Sequence, residues 1–146
     1  MSPNANGSRL RAIGRGAVAA MAMTGMRTFT ANLGLLESTP PEAIAEQAGP
    51  SSLQPKDPAA RAALIELAHW SYGAAGGAAY TALPERVRAS AWAGPAYGIA
   101  VWLLFELGLG PLLGVNYTRQ QRLSGKIVVA LDHAVYGAIV AHRSGR

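Results

Sequence analysis

Residues 69–77 read HWSYGAAGG, and residues 133–141 read HAVYGAIVA. Both contain His-x-x-Tyr-Gly-Ala, and both lie inside long apolar stretches. Aligning them pairs Leu67 with Leu131, His69 with His133, Tyr72 with Tyr136, Gly73 with Gly137, and Gly77 with Ala141. Gly73–Gly77 is a G-x-x-x-G, and Gly137–Ala141 is its small-x-x-x-small counterpart. This spacing puts small residues on one face of a helix, so that backbones can approach closely in lipid. Upstream, Gly16–Ala20 matches Gly94–Gly98 more loosely, and Ala12, Gly16, Ala20 and Thr24 continue the spacing along the first helix. The pattern predicts two pseudo-repeated helical hairpins whose corresponding helices run the same way, a parallel repeat about an axis along the membrane normal.

Four apolar segments fill out this scheme: Ile13–Leu36, Ala62–Leu83, Ser90–Leu113 and Lys126–His142. A spanning helix needs about 20 mostly apolar residues. The second and third segments qualify by length, the first carries Arg27, and the fourth is at the short limit. Runs this long, rich in Ala, Leu and Met and without alternation, favour helix over strand. The predicted fold is all-α: a four-helix transmembrane bundle in a single integral membrane domain spanning residues 1–146.

Residues 1–9 read as a flexible tail. The arginines after it and the A-x-A at Ala20–Ala22 resemble a signal peptide, but the continuing small-residue spacing favours a helix that stays attached. Residues 37–60 read as an extramembrane loop, rich in proline, with one short helix in STPPEAIAEQ capped by Thr39. The link PERVR (84–88) is tight, and GVNYTRQQRLSG (114–125) is polar and basic.

Composition agrees with the membrane reading. Of the 146 residues, half are hydrophobic and 14% are charged, against about a quarter charged in ordinary soluble domains. The mean hydropathy is only +0.15 because glycine and alanine replace the usual leucines. The net charge is +5, but the basic residues flank apolar segments and do not gather into an aromatic-laced patch, so no nucleic-acid partner is expected. Without cysteine there are neither disulfides nor thiolate metal sites.

The stretches HWSYGAAGGAAY and HAVYGAIVA, with an early MAMTG followed by LGLLESTPPEAI, resemble the YagU-like family of small bacterial inner-membrane proteins. The resemblance covers three of the four helices and the first loop. It implies a multi-pass inner-membrane protein, and one branch of the family is linked to survival in acid. It carries over no catalytic residue.

With alternating helix directions, Arg27 late in helix one and Glu106 late in helix three fall at the same depth as Glu66 and His69 in helix two and Asp132 and His133 in helix four. Ionisable groups inside a membrane cost about 2.5–3.5 kcal/mol or more each and should turn inward and pair. Arg27 is expected to pair with Glu66, Glu106 or Asp132. The histidines are expected to donate to carboxylates or to the hydroxyls of Tyr72 and Tyr136, and Asp132 and Tyr136 form an i, i+4 pair. Trp70 and Trp102 read as packing or lipid-facing, while Trp92 and Tyr117 read as interfacial.

Three uses of this layer stay open. One is a structural network that registers the helices. Another is a path for protons or a small solute, with His69 and His133 titrating. The third is a metal or haem. Glu66-x-x-His69 has the spacing of di-metal bundles, but Ala130 stands where a second glutamate would be needed, and the two histidines could instead ligate haem. The leading expectation is a non-enzymatic protein without cofactor, in envelope or acid-stress physiology. Its partners are the lipid bilayer and, for a conducting form, further copies in a homo-oligomer. Seven Lys and Arg on one side against six on the other favour cytoplasmic termini.

Overall fold

The computed structural model describes residues 3–34, 40–47, 55–115 and 122–142, and all regular structure among them is helical. Helix α1 runs Pro3–Asn32, α2 Pro40–Gln47, α3 Pro58–Tyr80, α4 Glu85–Arg88, α5 from Ala93 and α6 Leu123–Ala141. α5 is α-helical to Leu104, π-helical over Phe105–Leu109, and closes with an α-turn at Gly110–Leu112.

The ends follow local chemistry. α3 starts at Pro58, which needs no hydrogen-bonding N–H at that position, and the Asp57 carboxylate accepts the Ala60 N–H at 2.9 Å. α2 begins on two prolines, with Glu42 in the positive first turn; Thr39 lies outside the described residues. α1 and α5 both stop at a glycine with positive φ, Gly34 (69°) and Gly114 (70°). At the second stop the Val115 N–H bonds the Gly110 carbonyl at 2.9 Å, and the Gly114 N–H bonds Pro111 at 3.1 Å, the paired closure of a Schellman motif. The π-turn has a cause nearby. Pro111 has no N–H for the Leu107 carbonyl and its ring crowds that carbonyl, so the chain widens and the Gly110 N–H bonds Phe105 instead.

Several boundaries depart from the sequence reading. α1 starts at Pro3, inside the stretch read as a tail. α3 starts four residues before Ala62, and α6 starts at Leu123, ahead of Lys126. PERVR holds the single helical turn α4. Polar and charged residues extend helices beyond the apolar stretch that marks them, because backbone hydrogen bonding continues as long as no breaker intervenes.

Two contacts dominate the packing: α1 lies along α3, and α5 lies along α6. In both, glycine makes the approach possible. A methyl group on Gly16 would overlap the Gly73 carbonyl oxygen, and one on Gly77 the Ala12 carbonyl. In the other pair, a methyl on Gly98 would overlap the His133 carbonyl, and one on Gly137 the Gly94 carbonyl. The pairs meet where α1 packs on α6. Ala19, Met23, Tyr80, Tyr136 and Val140 form the core there, with Tyr97 set edge-on to Tyr80 at 5.2 Å. Three side chains bind backbone across this seam. Tyr136 donates to the Gly73 carbonyl and Tyr97 to the Gly76 carbonyl, each at 2.7 Å, and Arg15 Nε donates to Val140 at 3.1 Å near the end of α6.

Two helices, Ala93–Leu112 and Leu123–Ala141, are long and apolar enough to cross a membrane. At 1.5 Å per residue each is about 30 Å long, the thickness of a bilayer hydrocarbon core.

Candidate polar cavity between the helix pairs

α3 and α5 make few contacts, and between them lies a cavity of about 560 Å³. α2 lies against the loop end, where Ala43 and Ile44 pack on Val115. Arg27, His69, Tyr72, Glu106, Asp132, His133 and Tyr136 all line this cavity. Glu66 does not; it borders a smaller neighbouring cavity with Lys56 and Arg61. The shared depth read from the sequence therefore corresponds to one space, with Glu66 set behind it.

Arg27 is 9% exposed and forms an ion pair and hydrogen bond with Glu66. The other Glu66 oxygen accepts the Thr24 hydroxyl at 2.6 Å, and Thr24 in turn accepts the Trp70 indole N–H at 3.2 Å. Trp70 is thus part of the polar network as well as the packing. The sequence reading missed both Thr24 and Trp70, although Thr24 sits one turn before Arg27 and Trp70 one turn after Glu66, the spacing at which helix side chains share a face.

The other expected pairings are redirected. Glu106 meets Lys126 at 3.1 Å instead of Arg27. Lys126 heads the fourth apolar segment read from the sequence, and because the helix begins a turn earlier, at Leu123, it sits within α6 and reaches Glu106 from there. Tyr136 bonds the Gly73 carbonyl and not Asp132. His133 donates through Nδ1 to the Val129 carbonyl of its own helix at 2.8 Å, which leaves Nε2 as an acceptor. His69 Nδ1 lies 3.9 Å from Glu66, is buried, and has no hydrogen-bond partner. Asp132 has no hydrogen-bond or ion-pair partner among the described residues, and Arg27 reaches it and His69 only as a nearby charge.

Tyr72 and Tyr136 are paired in the alignment of the two His-x-x-Tyr-Gly-Ala stretches but differ in setting. Tyr136 is 4% exposed in the seam, whereas Tyr72 is 50% exposed on the cavity wall. Met26, Leu64, Leu109 and Leu113 are also exposed and line the cavity, so it is open to the outside along α1, α3 and α5. Among the described residues, no three His, Asp or Glu side chains converge on a point that could hold a metal ion.

No protein-family model, curated protein or solved structure matches this chain.

Proposed function

We propose that this chain is a non-enzymatic, four-span integral membrane protein built from two repeated hairpins, α1/α3 and α5/α6, and tied by a polar layer. One observation carries the reading: apolar side chains face outward while the charges turn in. Val18, Met21 and Phe29 on α1, Leu67 on α3, Leu104 and Leu107 on α5, and Leu131 and Val135 on α6 are exposed, while Arg27 is buried and paired. In water such apolar surface invites association; in lipid it is the favourable arrangement, and buried charges pair as they do here. The repeat is supported by equivalent approaches, Gly16 on Gly73 and Gly77, and Gly94 on Gly137 and Ala141. The bacterial inner membrane, cytoplasmic termini and an envelope or acid-stress setting belong to the proposal through the resemblance and the charge bias alone.

The lack of native cysteine makes the test simple. Single cysteines at Lys56 and Glu85 flank α3 on opposite ends. With four spans, a membrane-impermeant maleimide labels one of them only after permeabilisation. Labelling of both from the same side limits the crossing to α5 and α6. Release of the chain by alkaline carbonate refutes the membrane reading as a whole.

The cavity favours a second reading, a carrier or channel for a small solute. Its supporting observation is that the ionisable layer faces an open space and is not packed solid. Solute flux in liposomes, lost on His69→Ala or His133→Ala in protein that keeps its thermal stability, is the expected result for a carrier. Unchanged flux with lowered stability favours the purely structural network.

A further inference from the structure

The charges around the cavity can be balanced residue by residue. Among the described residues, four charged side chains line it: Arg27, Arg61, Glu106 and Asp132. Arg27 is paired with Glu66, Arg61 lies 3.8 Å from Glu46, and Glu106 lies 3.1 Å from Lys126. Among the described residues Asp132 is left without a partner, since the nearby Arg27 is already paired with Glu66, and with neutral histidines it gives the cavity one unpaired negative charge. An unpaired carboxylate at this depth is costly and calls for a partner. A neutral ligand leaves it unpaired, and an anion adds a second negative charge.

The rest of the wall indicates what kind of cation fits. The lining is predominantly apolar and includes Tyr72, Trp102, Phe105 and Tyr136. Aromatic faces attract cations, most strongly where water is excluded. The volume lies within the range of drug-sized sites, about 300–1,000 Å³. A metal ion finds no set of three ligands here among the described residues, and a hydrophilic cation would lose hydration without regaining it from this wall.

We propose that the cavity is a binding site for a lipophilic organic monocation, with Asp132 as the counter-charge and the aromatic side chains as its walls. This rests on the membrane reading in two respects: the cost of an unpaired carboxylate is that of a group at membrane depth, and the exposed apolar side chains lining the cavity, Met26, Leu64, Leu109 and Leu113, would then meet lipid, where such cations partition.

The test measures tetraphenylphosphonium binding by equilibrium dialysis to the full chain in lipid nanodiscs, with empty discs subtracted. Tetraphenylborate, nearly the same shape with opposite charge, is the control. Saturable phosphonium binding is expected, with the borate at least about tenfold weaker. Asp132→Asn should lose at least about tenfold, as when one member of a charge pair is removed, and Trp102→Leu should lose a smaller factor while the charge remains. Absence of saturable phosphonium binding, equal binding of the borate, or full affinity in a folded Asp132→Asn protein overturns the proposal. If Asp132→Asn does not fold, the comparison of the two ions on the unaltered chain still decides. A chain that resists carbonate extraction but binds no phosphonium refutes the cation site alone. A chain released by carbonate that still binds phosphonium through Asp132 refutes the membrane reading alone.

Discussion

The two helix pairs, α1 with α3 and α5 with α6, solve the same packing problem and carry different chemistry. In both, a glycine face lets two backbones touch, through Gly16 and Gly73 in one and Gly98 and Gly137 in the other. The first also ties its helices with an ion pair that holds a buried arginine, Arg27 with Glu66, whereas the second has the more open Glu106–Lys126 pair. The alignment that pairs Gly16 with Gly94 and Gly73 with Gly137 places Thr24, Arg27, Glu66 and Trp70 opposite Trp102, Phe105, Ala130 and Ala134. The positions that hold an ion pair and its hydrogen bonds in one hairpin are apolar in the other. The shared feature is therefore the close backbone approach, while the polar residues each pair contributes to the cavity differ in type and position. This also accounts for which helices pass for membrane spans. α5 and α6 do so by length and composition, whereas α1 and α3 carry a buried ion pair between them.

The largest effects test the shared feature. Gly16→Leu and Gly98→Leu each drive a side chain into backbone atoms that cannot move aside. Overpacking costs about 1–3 kcal/mol where side chains can shift, so both variants are expected to exceed that and to lose the folded state in a detergent denaturation series. If one hairpin tolerates leucine and the other does not, the equivalence of the two approaches fails.

Next is Glu66→Ala, which leaves Arg27 buried without its partner and is expected to cost about 3–5 kcal/mol. Giving the first hairpin the apolar character of the second, by Arg27→Met together with Glu66→Ala, should recover most of that loss. A double variant as damaged as the single one means that the pair does more than neutralise itself. The matched tyrosines give a smaller and cleaner contrast. Tyr136→Phe removes a buried hydrogen bond to Gly73 and should cost about 1 kcal/mol. Tyr72→Phe, on the open cavity wall, should leave the denaturation midpoint unchanged. Equal costs would place both hydroxyls in comparable networks.

The helices and the shared depth of the ionisable residues could be read from the sequence, because apolar run length and residue rise depend on little else. Partner choice could not. Depth put Arg27 level with Glu66, Glu106 and Asp132, but which carboxylate it meets depends on helix rotation and on which helices adjoin. α1 adjoins α3 and α6 rather than α5, and that removes Glu106 from its reach. Glycine patterning held enough information to suggest the first of these contacts. The helix start that sets Lys126 within α6 lay in a polar stretch where periodicity gives no signal, and the π-turn beneath Glu106 was marked only by Pro111.

The Glu106–Lys126 pair is the second hairpin's own link between helices, and it sets the lower end of the comparison. Its side chains are 12% and 35% exposed, against 25% for Glu66 and 10% for Arg27, so in the second pair it is the cation that is open. The lysine sits one turn into α6, where its long stem can carry the ammonium toward water. A pair with one partner this open gains little over separate solvation. Glu106→Gln, which leaves only the open lysine unpaired, is therefore expected to cost about 1 kcal/mol or less, several-fold under Glu66→Ala, in the same denaturation series. The two hairpins would then differ in energy as they do in geometry, with one closed by a buried pair and the other by backbone contact. A cost for Glu106→Gln equal to that of Glu66→Ala would make Lys126 as dependent on its partner as Arg27 is, and the two ion pairs would then be equivalent in energy.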